Sequence, residues 1–276
     1  MEREGCLMSG GGEVSEPSSQ GGMITLEDLD NMPEDQGSDS AYNSNSSLGN
    51  DTEQMEEQEQ NRLLTYWQTV ARGHQVQVPD DMAQPILQMT RNNQPQFREH
   101  VPFTLLSCKE KCGELLYEKR QYQAAKWACI KISEGQYEQS ICLGFMKLMR
   151  YICEQNSLGA YLGMTVPIVT VVRTNELRTG LSLTVTVAYY LPEQFQEQPP
   201  EPYDTEIVIE DWPATVAYTR SFSGATDEET IMREINLFTE LLDSPELHLN
   251  DTYIIAGYTN PAAPSRHNEI WFLYRP

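Results

Sequence analysis

The chain has 276 residues and a net charge of −22, a length that allows one large domain or two small ones. Residues 1–60 hold 15 acidic side chains and one arginine, and no cluster of Lys and Arg suited to a phosphate backbone follows them. The composition therefore argues against nucleic-acid binding, and no apolar run approaches the roughly 18–20 residues of a membrane span. The start lacks the basic and apolar blocks of a secretory signal, so reduced cysteines and a cytoplasmic location are expected.

Residues 1–60 form a predicted disordered acidic leader. They are rich in Gly, Ser, Asn and acidic side chains, and such a segment buries too little apolar surface to offset its ordering entropy. Within it, residues 23–32 alternate acidic and apolar groups, a composition typical of short docking segments. The leader is thus either a solubilising tail or the binding segment for a protein partner.

Residues 61–111 are predicted to hold a short helix and a Gln/Pro-rich linker. Leu63, Leu64 and Trp67 lie on one stripe of a helix that spans about 58–72. This helix either docks on the domain that follows or binds a partner. From Gly73 to His100 the chain has no sustained period, which indicates linker.

Residues 112–276 are predicted to form the folded domain. Its two helices are expected at 136–155 and 226–243, and the second begins with the capping box Thr226-Asp-Glu-Glu229. Strands are predicted at 114–119, 124–132, 162–173, 181–191, 206–210, 215–222, 252–258 and 268–274.

The first domain helix, 136–155, has an unusually wide apolar face. One stripe consists of Ile141, Phe145, Leu148 and Ile152. A second stripe, about 90° further round, consists of Cys142, Met146, Met149 and Cys153. Together they cover about 160° of the helix, whereas packing on one core needs little more than 100°. The excess either binds a ligand or packs beneath a neighbouring strand or the helix near 58–72.

The second domain helix repeats the first stripe ninety residues later, at Ile231, Ile235, Phe238 and Leu242. The strands before and after the two helices correspond as well, so each half reads β-α-β-β. Neither half could cover its own sheet. The sequence therefore predicts an α+β fold, in which duplicated β-α-β-β halves form a distorted antiparallel β-barrel with two packed helices.

Short motifs in this region resemble the SOUL heme-binding protein family over residues 114–276. They are Tyr117-Glu-Lys-Arg-Gln-Tyr122, Met164-Thr-Val-Pro167, Pro199-Pro-Glu-Pro202 and Asn268-Glu-Ile-Trp271. The resemblance implies the family's distorted barrel with two helices and a cytosolic protein that binds heme or a related tetrapyrrole non-covalently. A histidine proposed as an iron ligand in one member is replaced by Gln121 here.

The wide helix face is the predicted binding site. A porphyrin is a flat apolar disc with two propionates, which favours an apolar wall with a cation at its rim. The predicted cofactor-binding residues are Cys142, Phe145, Met146, Met149 and Arg150. Cys142 or Met149 could ligate iron, but the sequence does not require an axial ligand.

The sequence also bears on two other classes of function, an enzyme and a protein-interaction module. The chain holds no G-x-S-x-G, no H-E-x-x-H and no phosphate-binding glycine loop, so a non-enzymatic protein is expected. The alternative to a tetrapyrrole-binding protein is a protein-interaction module that binds its partner through the second helix or the acidic leader, without physiological heme binding.

Overall fold

A computed structural model of the protein describes residues 50–73, 75–92, 98–133, 136–175, 177, 179–224, 226–242, 251–258 and 267–274. The helices are α1 (Asn50–Arg72), α2 (Ala83–Asn92), α3 (Tyr137–Cys153) and α4 (Glu228–Leu241). The strands are β1 (Glu99–His100), β2 (Phe103–Lys111), β3 (Glu114–Tyr122), β4 (Ala125–Ser133), β5 (Thr165–Val166), β6 (Ile168–Arg173), β7 (Thr184–Tyr190), β8 (Ile207–Trp212), β9 (Thr215–Phe222), β10 (Thr252–Gly257) and β11 (Asn268–Tyr274). Residues 1–49 lie outside this range, so the disorder and the partner of the leader stay predictions.

Nine antiparallel strands form one sheet, in the order β2-β3-β9-β11-β10-β6-β7-β4-β8. The order reads symmetrically from the central pair of β6 and β10. On one side lie β7, β4 and β8, and on the other lie their counterparts β11, β9 and β3. The predicted α+β fold with duplicated halves is thereby confirmed.

Two very short connections make this sheet curl. β3 and β4 are separated by five strands in the sheet, yet residues 123–124 alone join them. In the same way, residues 213–214 join β8 to β9 across five strands. A flat sheet of seven strands would place such ends about 29 Å apart at 4.8 Å per strand, far beyond the reach of two residues. The sheet therefore bends into a half-barrel, with β2 and β8 left as its edges.

The two faces of the half-barrel carry different side chains because strand residues alternate. The outer face packs on α3 and α4 through residues such as Ile130, Val187 and Phe272, and it holds the larger core. The inner face carries a separate cluster that includes Trp127, Tyr190 and Trp271. Helices therefore cover the outer side, while the rings of Trp127, Tyr190 and Trp271 lie on the inner side.

Gly144 lets α3 approach the sheet closely. A Cβ at this position would lie 2.7 Å from Cγ2 of Val187 and 3.5 Å from Cγ2 of Ile130. We expect Gly144→Ala to lower the free energy of unfolding by about 1–3 kcal/mol, because overpacking outweighs the gain of about 1 kcal/mol in helix propensity. Urea denaturation measures the change. The double variant Gly144→Ala/Val187→Ala is the control, and its loss should be smaller than the sum of the two single losses. A stabilised Gly144→Ala variant would contradict the close approach.

The segment predicted as linker contains a helix, so that prediction is wrong. α2 buries Pro85, Ile86, Leu87 and Met89, and α1 packs beside it through Leu63 and Trp67. The sheet also begins earlier than predicted, because β2 pairs with β3 along its whole length from Phe103. Among helices in the described ranges, none is both long and apolar enough to cross a membrane.

Candidate functional site

The structure buries the predicted wall on α3. Cys142, Phe145, Met146 and Met149 are all 4% exposed or less, and they share one core with α1 and α2. The ring of Trp67 from α1 stacks on Phe145, with centroids 6.5 Å apart and planes 15° from parallel. These four side chains are therefore brought together, but beneath two helices rather than on the wall of an open cavity.

The cations near this face are engaged by carboxylates. Nη2 of Arg150 donates to Oδ1 of Asp81 at 2.6 Å, at the start of the segment that leads into α2. Nζ of Lys147 pairs with Glu206 and, at 3.2 Å, with Asp204. Partial burial lowers the pKa of Lys147, but these two carboxylates hold it above its usual value. Arg150 thus ties α3 to the N-terminal segment.

Contacts along α2 close the remaining part of the flank. Sγ of Cys153 donates to the carbonyl oxygen of Pro85 at 3.3 Å, and Oη of Tyr161 donates to Sδ of Met89 at 3.7 Å. Burial raises the pKa of the Cys153 thiol. The excess apolar arc of α3 therefore packs beneath the helix near 58–72, which is one of the two alternatives given for it above. Tetrapyrrole binding by residues 142–150 stays a prediction, and it needs α1 and α2 to move.

An open cavity lies instead on the inner face of the half-barrel. Its volume is about 610 Å³, and both two-residue connections line it. Trp127 and Tyr190 come from β4 and β7, Trp212 from β8 and Trp271 from β11. We call this space the inner cavity.

Two stacked aromatic pairs form much of the wall of the inner cavity. Trp127 and Trp212 lie 4.6 Å apart between centroids at 21°, and Tyr122 and Trp271 lie 4.6 Å apart at 23°. Val171 and Ile254 of the central strands add an aliphatic surface beside them. Aromatic and aliphatic groups arranged in this way favour a flat apolar ligand.

Each of two cavity tryptophans is held by a carboxylate two residues earlier in its strand. Nε1 of Trp212 donates to Glu210 at 3.0 Å, and Nε1 of Trp271 donates to Glu269 at 2.8 Å. Both indole N–H groups are therefore satisfied by the protein. Their rings are fixed with the apolar surface toward the cavity, which reduces the ordering cost of binding.

A buried ion pair lies directly behind Trp271 and Tyr122. Both terminal nitrogens of Arg120 donate to Glu269 at 2.8 Å, and Tyr258 donates to the same carboxylate at 2.9 Å. Burial alone lowers the pKa of Arg120, but the hydrogen bonds and charge of Glu269 hold it above its usual value. Burial is also the main cause of the raised pKa values of Tyr122 and Tyr258. This network fixes one wall of the inner cavity.

Comparison with known proteins identifies the domain that carries this cavity. A family model described as "SOUL heme-binding protein" matches residues 98–273. The chain belongs to the SOUL family. The match covers every strand of the curled sheet together with α3 and α4, so the inner cavity lies within the SOUL domain.

Relatives of the SOUL domain have similar sequences at about 30% identity. "Heme-binding protein 1" of Mus musculus is 30% identical over 190 residues, which are 68% of this chain and 99% of the relative. "Heme-binding protein 2" of Homo sapiens is 28% identical over 161 residues, 58% of this chain and 78% of the relative. Among solved structures, the "EcmrR C-terminal domain" has a TM-score of 0.43 at 13% identity, over 58% of this chain and 98% of that one.

Helices α1 and α2 lie outside the SOUL match. Both end before residue 98, yet they cover the α3 face inside the domain. The mouse relative is matched over 99% of its length by 190 residues, so about a third of this chain has no counterpart in it. The α3 face is therefore buried by two helices that precede the residues matched by the family model.

The apolar stripe of the second helix of the SOUL domain is buried in its own domain, so a partner of this helix would meet its other faces, where Leu237 and Leu241 are 40% and 37% exposed. α4 buries Ile231, Ile235 and Phe238 completely in its own domain. The N-cap is Asp227, whereas the predicted capping box required Thr226, and the side chain of Asp227 accepts a hydrogen bond from the amide of Thr230 at 2.8 Å. The apolar stripe of this helix is therefore used for packing.

Sequence reasoning missed the aromatic residues of the inner cavity. One available signal was the alternation of strand residues, which places Trp127 and Ala128 on opposite faces of β4. Another was that Tyr122 and Trp212 are ninety residues apart, the offset between the helices of the two halves. Both rings end a strand just before a two-residue connection.

Proposed function

We propose that this protein binds heme or a related tetrapyrrole reversibly in the inner cavity of its SOUL domain, in a binding rather than a catalytic role. The proposal is supported by membership of a family described as heme-binding and by relatives named heme-binding proteins at about 30% identity. The observation that carries it is the inner cavity, with its stacked aromatic walls.

The size and chemistry of the inner cavity suit such a ligand. At about 610 Å³ it falls within the range of roughly 300–1,000 Å³ typical of cofactor sites. A tetrapyrrole supplies a broad flat π-system, and indole and phenol rings pack on such surfaces in offset or edge-on arrangements. Trp212 is only partly buried, so one side of the wall is accessible from solvent.

The α3 face is the competing location, and it is costlier to use. A ligand there would have to displace α1 and α2, and thereby expose Trp67, Ile86 and Met89, which are fully buried. Each large apolar side chain stabilises the closed arrangement by about 1.5–3 kcal/mol. The inner cavity needs no such displacement.

A cytoplasmic location belongs to the same proposal. Cys108 and Cys112 are exposed free thiols near the tip of the β2–β3 hairpin. Exposed thiols remain reduced in the cytoplasm, whereas oxidising compartments convert them to disulfides. Measuring the thiol state of the protein isolated from cells under acid quench tests this point.

Titration of the full-length protein with hemin tests the function. We expect a saturable shift of the Soret band together with quenching of tryptophan fluorescence. Trp212→Ala should weaken binding about tenfold, because it removes one ring of the Trp127–Trp212 pair. Tyr203→Ala is the matched control, since Tyr203 is 65% exposed and lies outside the cavity. A Soret shift no larger than that of a protein-free solution would overturn the proposal. Equal affinity of the wild type and Trp212→Ala would overturn the location.

A further inference from the structure

Two cations extend into the same side of the inner cavity. Lys131 lies near the end of β4 and Arg173 at the end of β6, and these strands run in the same direction on either side of β7. Lys131 is opposite Thr186 of β7, and Thr186 is opposite Val171 of β6. From the strand spacing, the Cα atoms of Lys131 and Arg173 are about 12 Å apart. Both side chains are long enough to reach into the space between them.

Neither cation has a carboxylate within ion-pair distance in the described part of the chain. Other cations of the SOUL domain do have one. Lys126, on the same strand as Lys131, pairs with Asp211 at 2.5 Å. Arg120 pairs with Glu269, and Arg220 pairs with Glu234. Glu210 also lines the cavity, but it accepts the hydrogen bond from Nε1 of Trp212. Lys131 and Arg173, which have no carboxylate partner among the described residues, are therefore available for an anion from outside.

We infer that Lys131 and Arg173 bind the carboxylates of the cavity ligand, so that the inner cavity selects flat apolar molecules with two acidic groups over neutral ones. The inference rests on the proposed function and names the ligand class of the same site. The aromatic wall takes the apolar ring system, while the cations at the exposed side take the anionic substituents.

The chemistry of the two side chains fits this division. Arginine presents a planar fork of donors that matches a carboxylate in two-point contact, and lysine offers a point charge that tolerates several geometries. Both residues are exposed, so bound carboxylates stay partly solvated and the gain is moderate. We expect each cation to strengthen binding about three- to tenfold, and added salt to reduce that gain.

The test compares protoporphyrin IX with its dimethyl ester, which has the same ring system and no carboxylates. Full-length protein is titrated with each porphyrin, and tryptophan quenching reports binding. The wild type should bind the acid at least about tenfold more tightly than the ester. In Lys131→Gln/Arg173→Gln this ratio should fall toward one, through weaker binding of the acid and unchanged binding of the ester. Lys126→Gln is the matched control, because its side chain is engaged by Asp211, and its ratio should stay at the wild-type value.

The outcomes separate the inference from the proposed function. If the wild type binds acid and ester equally, or if the double variant keeps the wild-type ratio, the inference is wrong while tetrapyrrole binding stands. If protoporphyrin IX, its dimethyl ester and hemin all fail to bind, both the proposed function and the inference are wrong. Lys131 and Arg173 are surface residues, so their replacement leaves folding intact, and a melting temperature near that of the wild type verifies this.

Discussion

Glu269→Gln is expected to lower the free energy of unfolding by about 3 kcal/mol. The glutamate is 3% exposed and accepts hydrogen bonds from Arg120, Tyr258 and Trp271. The amide keeps the shape but removes the charge, so the buried guanidinium loses its main partner, a change that usually costs about 3–5 kcal/mol. The lower end applies because Glu118 still contacts Arg120 at 2.5 Å. Urea denaturation followed by tryptophan fluorescence measures the loss.

Two controls determine whether the charge itself is responsible. Glu118→Gln removes a less buried partner of Arg120, and its cost should stay at about 1 kcal/mol or less. Arg120→Leu/Glu269→Gln removes both charges, while the amide oxygen at position 269 can still accept from Tyr258 and Trp271, and it should recover part of the loss because no unpaired charge stays buried. A Glu269→Gln variant as stable as the wild type would show that the network does not depend on this charge.

Trp67→Ala is expected to cost about 3–5 kcal/mol, the range for removing a large aromatic side chain from a packed core. Trp67 is fully buried and stacks on Phe145, so its loss leaves a cavity between α1 and α3. We also expect α2 to loosen and Cys153 to become reactive. Its thiol now donates to Pro85 and has a raised pKa, both of which suppress alkylation. Urea denaturation and the rate of iodoacetamide labelling at Cys153 provide the two measurements.

The matched control for this variant is Trp67→Phe. Phenylalanine preserves an aromatic stack on Phe145 and removes the indole N–H, which is buried without a hydrogen-bond partner in the described residues. The two effects oppose each other, so we expect a change of about 1 kcal/mol or less. Rapid labelling of Cys153 in the wild type would refute the closed packing of α2 on α3.

The Trp67→Ala variant also distinguishes the two locations for a tetrapyrrole. If the ligand binds on α3, loosening α1 and α2 should raise the affinity for hemin, because less packing has to be displaced. If it binds in the inner cavity, the affinity should equal that of the wild type. We expect equality. A stronger affinity in Trp67→Ala would return the site to Cys142, Phe145, Met146, Met149 and Arg150.

The elements of the SOUL domain could be predicted closely from its sequence. The period of 3.6 residues placed α3 and α4, and alternating strands with short polar turns placed most strands from β3 onward near their observed bounds. The single strand predicted at 162–173 is wrong, because the structure divides it at Pro167 into β5, which pairs with β1, and β6, which joins the large sheet. These signals are local. α2 was not predicted, because Gln84 and Pro85 are residue types common in linkers. Proline is nevertheless tolerated in the first turn of a helix.

The candidate site could not be predicted in the same way. The arc on α3 is wider than one core requires, but a helix face does not reveal whether a ligand or another helix covers it; in the structure α1 and α2 do. Trp127 and Trp212 meet because β4 and β8 pair in a particular register, and they line a cavity because the sheet curls. That curl follows from two short connections between strands that are far apart in the sheet, a relation that requires the whole topology.

The placement of β3 and β8 has a consequence for how the domain assembles. β3 precedes β4 in the chain yet pairs with β9, and β8 precedes β9 yet pairs with β4. The first strand of each repeat thus pairs with the other repeat, as in a domain-swapped dimer. Cutting the chain in the loop between β7 and β8 would yield two fragments with mutually missing strands. Neither fragment can reach its native sheet alone, so the SOUL domain folds as one cooperative unit.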